Sequence, residues 1–192
     1  MFEDYIFTLA SASPRRRELL KGLDIDFTVE PGKDEREAYS EGMPHTAIPE
    51  FLARHKSETF HRALLPGEVL ITADTLVFLD QEILGKPRDR GEAIVMLQEL
   101  SGRTHTVTTG VALRTCERIH TFSDTTEVDF KPLTEGEIAY YVEKYRPYDK
   151  AGAYGVQEWI GYTGITAIRG SYFNVMGLPV QRLYTELCDF LY

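Results

Sequence analysis

The sequence predicts an α/β fold, with a mixed central sheet and flanking helices. Two observations predict it. Strand-like and helix-like apolar periods interleave from one end of the chain to the other, and Pro, Gly, Ser and Asp punctuate them at intervals that suit single elements. With 192 residues and 43% hydrophobic content, the chain can bury a core as one large domain or as two small lobes sharing a cleft. No repeat, low-complexity tract or linker divides it, so residues 1–192 are read as a single domain.

In order, Tyr5 to Ala10 reads as a short buried strand, Ser11-Ala-Ser13-Pro14 as a turn, and Arg15 to Leu23 as a helix with Leu19, Leu20 and Leu23 inward. Ser13 is its expected N-cap and Pro14 its first residue. Asp26 to Glu30 is a second strand, followed by a charged, turn-rich stretch to Pro49. A helix from Pro49 to about Leu65 carries Phe51, Leu52 and Phe60. Val69 to Ala73 is a buried strand expected to stop at Asp74. Val77-Phe-Leu79, the Asp80-Gln81 turn and Ile83-Leu84 form a hairpin leading to Gly85-Lys86-Pro87. Arg90 to Leu100 is a helix ended by Ser101-Gly102, and two long β-prone segments follow, His105 to Thr115 and Arg118 to Lys131. Thr134-Glu-Gly-Glu137 has the form of a capping box before a helix bearing Ile138, Tyr141, Val142 and Tyr145. Asp149 to Gln157 is a Gly-rich loop, Ile165 to Ile168 and Tyr172 to Val175 are short strands, and Pro179 opens a C-terminal helix.

Charge and cysteine usage narrow the function classes. Thirty acidic against 21 basic residues give a net charge of −9, which repels nucleic acid and anionic membranes over most of the surface. No segment approaches the ~20 apolar residues of a membrane span, and the first residues lack the form of a signal peptide. Cys116 and Cys188 stand far apart with no C-x-x-C pair, which points to reduced thiols and a cytoplasmic location.

Against that acidic field, Arg15, Arg16 and Arg17 stand out. A helix N-terminus carries partial positive charge and unpaired N–H groups, so cations in its first turn are unfavourable by about 0.3–1 kcal/mol each. A polyphosphate would offset this, because backbone N–H groups, the Ser11 and Ser13 hydroxyls and guanidinium forks can converge on its oxygens. A solvated basic turn is the plain alternative. Asp74, after five apolar-leaning residues, is placed to be a metal ligand or general base at a sheet edge, or equally to cap a turn with Thr75. Glu35 lies in a charge run, Lys86 on a turn constrained by Gly85 and Pro87, and Lys56 on a helix; each also reads as an ordinary surface charge. Gly152-Ala-Tyr-Gly155-Val-Gln157 joins two glycines to a carboxamide able to donate and accept toward a base edge, or forms a tight structural turn. His45, His55, His61, His105 and His120 show no metal-ligand spacing, and no Walker A, G-x-S-x-G or G-x-G-x-x-G run occurs.

Leu9-Ala-Ser-Ala-Ser-Pro-Arg-Arg-Arg-Glu-Leu-Leu20, Ala73-Asp-Thr75, Leu84-Gly-Lys-Pro87, Leu100-Ser-Gly-Arg-Thr-His105, Asp149-Lys-Ala-Gly-Ala-Tyr-Gly-Val-Gln157 and Asn174-Val-Met-Gly-Leu-Pro179 together resemble the successive motifs of the Maf (septum formation) proteins. The resemblance spans nearly the whole chain. It implies two lobes around a cleft, similar to the inosine-triphosphate pyrophosphatases, and hydrolysis of nucleoside triphosphates to the monophosphate and pyrophosphate with a divalent cation, Mg²⁺ or Mn²⁺. Arg15, Thr75 and Gln157 match the branch acting on dTTP and UTP. Asp74 matches the proton acceptor, and Arg16, Glu35, Lys56 and Lys86 match polar cleft positions, with Glu35 and Asp74 as the metal partners. The chain departs from the usual pattern at Glu158-Trp159, where a small residue commonly follows the glutamine. The family implies roles in cleansing the nucleotide pool and arresting division, and allows a homodimer. A non-catalytic nucleotide-binding regulator of division is the competing class; intact Asp74 and Glu35 favour the enzyme.

Overall fold

The computed structural model describes residues 2–32, 39 and 42–192. Glu35 lies outside the described residues. Seven strands, β1 (Ile6–Leu9), β2 (Phe27–Val29), β3 (Glu68–Leu79), β4 (Glu82–Leu84), β5 (Thr104–Arg114), β6 (Ile119–Phe130) and β7 (Ile165–Arg169), form one sheet in the order β2-β1-β3-β5-β6-β7, with β4 on β3. The sheet is mixed, as expected. β1 runs parallel to both β2 and β3, pairing Leu9 with Val29 and with Ile71, whereas β3/β4 and β6/β7 are antiparallel. The helices are α1 (Pro14–Lys21), α2 (Ile48–Glu58), α3 (Arg90–Leu100), α4 (Glu135–Tyr145), α5 (Trp159–Gly164), α6 (Tyr172–Met176) and α7 (Val180–Leu191).

The chain divides into two compact units. The first comprises Met1–Asp74, Thr109–Asp124 and Gly177–Tyr192. Leu9, Leu20, Leu70 and Leu187 are fully or nearly fully buried in it, and the Tyr5 hydroxyl donates to the Leu191 carbonyl at 3.0 Å, tying N-terminal strand to C-terminal helix. The second comprises Thr75–Thr108 and Thr125–Met176, around a core that includes Val77, Leu97, Val128, Tyr141 and Ile160.

Three expectations fail, each for a physical reason. β3 does not stop at Ala73. It continues through Asp74 to Leu79, because Thr75-Leu-Val77 is itself β-prone and pairs onward with β4; the burial relaxes at Asp74–Leu76 while the backbone stays extended. α2 ends at Glu58 rather than near Leu65. Beyond it Arg62 leaves helical register to hold Glu30 and Glu68 with four donor contacts of 2.6–3.1 Å, while Phe60 and Leu64 bury against Ala10 and Leu70. Tyr172 to Val175 is helical, not extended: the Ser171 hydroxyl accepts the Asn174 N–H at 3.2 Å, and the buried Asn174 amide donates to the Val107 carbonyl and the Thr126 hydroxyl.

Candidate functional site

The first unit holds Ser11, Ser13, Arg15, Arg16, Lys56 and Asp74. After β1, the Ser11 hydroxyl accepts the Ser13 N–H at 3.2 Å, a local turn that sets Ser13 as the N-cap of α1. Ser13 then accepts the Arg16 N–H at 3.4 Å, and Pro14 begins the helix, where its missing N–H removes no helical bond. Arg16 does not project as a bare cation. Its Nε donates to the Gly177 carbonyl at 2.8 Å and its Nη1 to the Ala73 carbonyl at 2.9 Å. Those two carbonyl dipoles offset the charge placed against the helix dipole, which the sequence alone assigns to an incoming anion. They also fasten the first turn of α1 to the backbone next to Asp74 and to the entry of α7.

Lys56, near the C-terminus of α2, forms an ion pair with Oδ1 of Asp74. The side chains are 29% and 16% exposed, so the pair is shielded but open to a small polar partner. Lys56 reaches β3 because α2 is docked on the sheet within this unit. The buried Thr72 hydroxyl donates to the Ala53 carbonyl at 2.6 Å, and Thr121 donates to Glu50 at 2.6 Å.

The second unit holds Thr75, Lys86 and Gln157. The Gly152 N–H donates to the Gly85 carbonyl at 3.1 Å, so the Gly85-Lys86-Pro87 turn is tied to the Gly-rich loop. Val77, two residues beyond Thr75 on β3, packs on Gly152, where an added Cβ would meet its methyl groups at 3.1 and 3.2 Å. Lys86 and Gln157 are exposed and Thr75 half-buried.

Sequence reasoning passed over the residues that hold this loop. Tyr154, buried, shares a 2.7 Å hydrogen bond with Nε2 of buried His105, whose ring stacks on Phe130. Burial pushes the His105 imidazole down to about 4, so the ring is neutral at pH 7. Tyr141 donates to Glu158 and accepts the Gly155 N–H at 2.9 Å. One signal was available: Tyr141 lies on the apolar face of α4 with Ile138 and Val142, and a buried tyrosine hydroxyl needs a polar partner.

Among the described residues, no group of three or more His, Cys, Asp or Glu side chains is gathered as a metal cage. Asp74 supplies one hard carboxylate. That fits Mg²⁺, which is commonly held by one or two carboxylates together with substrate phosphates. Among the same residues no helix is long and apolar enough to cross a membrane.

Comparison with known proteins adds to this geometry. Proteins named dTTP/UTP pyrophosphatase are similar along almost their whole length: 51% identical in Bacteroides thetaiotaomicron, covering 96% of each chain, and 52% identical in Bacteroides fragilis, covering 95% of each. A third, from Porphyromonas gingivalis, is 51% identical over 97% of this chain and 94% of its own. Of solved structures, a HAM1 protein from Coxiella burnetii covers 96% of this chain and 99% of its own at 18% identity, with a TM-score of 0.49, a likeness that carries no weight for fold or function. The Maf-like protein model matches residues 6–190, and with it the relatives show that this chain belongs to the Maf family.

Proposed function

We propose that this protein hydrolyses dTTP and UTP to the nucleoside monophosphate and pyrophosphate. Identity of about half over nearly the full length with proteins named for that reaction carries the reading. The match from residue 6 to residue 190 supports treating 1–192 as one functional domain. The acidic chain and its two free cysteines fit a cytoplasmic enzyme whose partner is a small anion and not nucleic acid or a membrane surface.

The proposed reaction places water in line with the leaving pyrophosphate at the α-phosphorus. A P–O bond forms from water, the bond from the α-phosphorus to the α,β-bridging oxygen breaks, and pyrophosphate departs with the electron pair. Asp74 accepts the proton lost by water, its carboxylate held in place by Lys56. Ser11, Ser13, Arg15 and the α1 N-terminus bind phosphate oxygens, Lys86 neutralises charge that builds on the leaving group, and Lys56 stays with Asp74 on the side of the attacking water. Arg16 contributes by anchoring the Ala73 carbonyl beside Asp74 as well as by its charge. Thr75 and Gln157 face the base, where a carboxamide can pair with the O4 and N3–H edge shared by uracil and thymine. A divalent cation, Mg²⁺ or Mn²⁺, would be held by Asp74 with Glu35 and the substrate's own phosphates, supplying charge neutralisation at the triphosphate.

A screen of nucleoside triphosphates for pyrophosphate release, with and without Mg²⁺, tests the proposal. Metal-dependent pyrophosphate from dTTP and UTP supports it. Orthophosphate as the first product would mean attack at the γ-phosphorus, and tight nucleotide binding without turnover would make the protein a regulator.

A further inference from the structure

Gln157 occupies a defined position in a β-turn. The Glu158 N–H donates to the Gly155 carbonyl at 3.0 Å, which makes Gly155 and Glu158 the turn's ends and Val156 and Gln157 its two central residues. Val156 is buried in the core of the second unit, whereas Gln157 is exposed. The buried Val156 fixes one side of this tip. The direction of the exposed Gln157 depends also on what holds the two ends of the turn.

Here both ends are held by one oxygen. The Tyr141 hydroxyl accepts the Gly155 N–H at 2.9 Å and donates its own proton to Oε2 of Glu158. Tyr141 is rigid, being fully buried on α4 with its ring stacked on Tyr145. Burial first, and then the Glu158 carboxylate, raise the phenol well above its usual range, so the hydroxyl keeps its proton and remains a donor. The other Glu158 oxygen, Oε1, pairs with Nζ of Lys150 at 3.1 Å, and Lys150 also reaches Asp149 at 2.7 Å. The start of the loop is thereby fixed to its end.

We propose that Tyr141 and Glu158 clamp the Gly155–Glu158 turn so that the Gln157 carboxamide is held ready for the base, and that both are specificity-determining positioning residues. The proposal rests on the reading of Gln157 as the base-facing residue. Its physical basis is pre-organisation: a carboxamide fixed before substrate arrives loses little freedom on pairing, and a misplacement of about 1 Å removes most of the advantage of the correct edge. A tie that only stabilised the loop would add to melting temperature and leave the choice of base alone.

The test compares kcat/KM for dTTP, UTP and CTP in Tyr141→Phe, Glu158→Ala, Glu158→Gln and Gln157→Leu, with amide exchange at Gly155 and thermal unfolding on each. Tyr141→Phe keeps the buried ring and removes the shared oxygen. It should lower the preference for dTTP over CTP by about three- to tenfold, the worth of a hydrogen bond or two, and speed exchange at Gly155. Glu158→Ala should do likewise, whereas Glu158→Gln, which still accepts from Tyr141, should keep most of the preference. Adding Tyr141→Phe to Gln157→Leu should flatten the preference no further. An unchanged preference in folded Tyr141→Phe and Glu158→Ala, with only a lower melting temperature, overturns the clamp while Gln157→Leu still reports on base reading. A preference that survives Gln157→Leu removes the base-reading role itself. If Tyr141→Phe does not fold, the Glu158→Ala and Glu158→Gln pair decides by the same ratio.

Discussion

Arg16 donates through Nη1 to the carbonyl of Ala73 at 2.9 Å, and Ala73 is bonded directly to Asp74. An arginine that sequence logic assigns to substrate phosphate therefore also fixes the backbone of the proposed proton acceptor. Its Nε holds the Gly177 carbonyl at 2.8 Å, so one side chain links α1, β3 and the segment leading into α7, all within the first unit.

Arg16→Ala is expected to lose stability as well as activity. Hydrogen bonds from a charged donor contribute about 1.5–3 kcal/mol each. For a chain of this length 1 kcal/mol shifts the melting temperature by about 2–4 °C, so the variant should melt roughly 5 °C lower or more and show a reduced kcat. Arg15→Ala, proposed to act on phosphate, should chiefly raise KM. Unchanged melting in Arg16→Ala would return Arg16 to a purely substrate-facing role.

Asp74→Asn should lower kcat by about 10²–10⁴, the usual effect of losing a general base, because it keeps shape and removes the negative charge. Melting curves should show a folded protein. Turnover near wild type would leave Asp74 as the ion-pair partner of Lys56 and nothing more.

Two buried groups contribute to the acid limit of stability. Glu68 is only 2% exposed, and its hydrogen bonds from Arg62, with those from the Leu65 N–H and the Thr8 hydroxyl, bring its carboxyl from 4.5 to about 2. His105 is brought from 6.5 to about 4 by burial. Both folded values lie below the unfolded ones, so in each case the unfolded chain binds the proton first and stability falls as pH falls. The His105 contribution is complete above about pH 6.5 and fades toward pH 4; that of Glu68 is complete above about pH 4.5 and fades toward pH 2. Urea unfolding across pH should show a decline in two stages, and Glu68→Gln should lose on the order of 3 kcal/mol at pH 7 and shrink the lower stage, to which Asp129, held near 2 by Arg169, and Glu137, held near 2 by Lys131, also contribute. A stability constant between pH 7 and pH 3 would contradict both assignments.

Periodicity made the sheet and its helices legible, and local chemistry made the starts of α1 and α4 and both ends of α3 legible, down to the Ser13 cap and the Thr134–Glu137 capping box. The failures at α2 and α6 lie where distant partners decide. No rule of local sequence says that Arg62 will leave a helix for Glu30 and Glu68, or that Asn174 will find Val107 and Thr126. The candidate site divides in the same way. Residue types and motif order picked out Arg16, Lys56 and Asp74, but that Arg16 anchors a carbonyl and Lys56 meets Asp74 are contacts across 57 and 18 residues of chain. Glu158 stands beside Gln157 in sequence, yet its role is visible only once Tyr141 and Lys150 are seen to converge on it.

The docking of α2, and with it the position of Lys56, depends on one missing side chain. Gly110 on β5 faces the first turn of α2, where a Cβ would stand 2.2 Å from the backbone of Pro49 and Glu50. Neither neighbour is a flexible side-chain end, so backbone itself must move. In Gly110→Ala the helix must shift outward, pulling Ala53 from Thr72 and Lys56 from Asp74. Overpacking of this kind costs about 1–3 kcal/mol and often more when backbone must yield, so melting should fall by at least several degrees. The folded fraction should also show a lower kcat, since the ammonium on Asp74 is displaced. Gly136→Ala is the matching control: nothing lies within 4 Å of its Cβ, and it stands in the first turn of α4. There alanine should raise stability by about 0.5–1 kcal/mol and leave kcat unchanged. Equal melting temperatures for the two variants would mean that α2 does not need the bare strand at Gly110, and that Lys56 reaches Asp74 by its own flexibility.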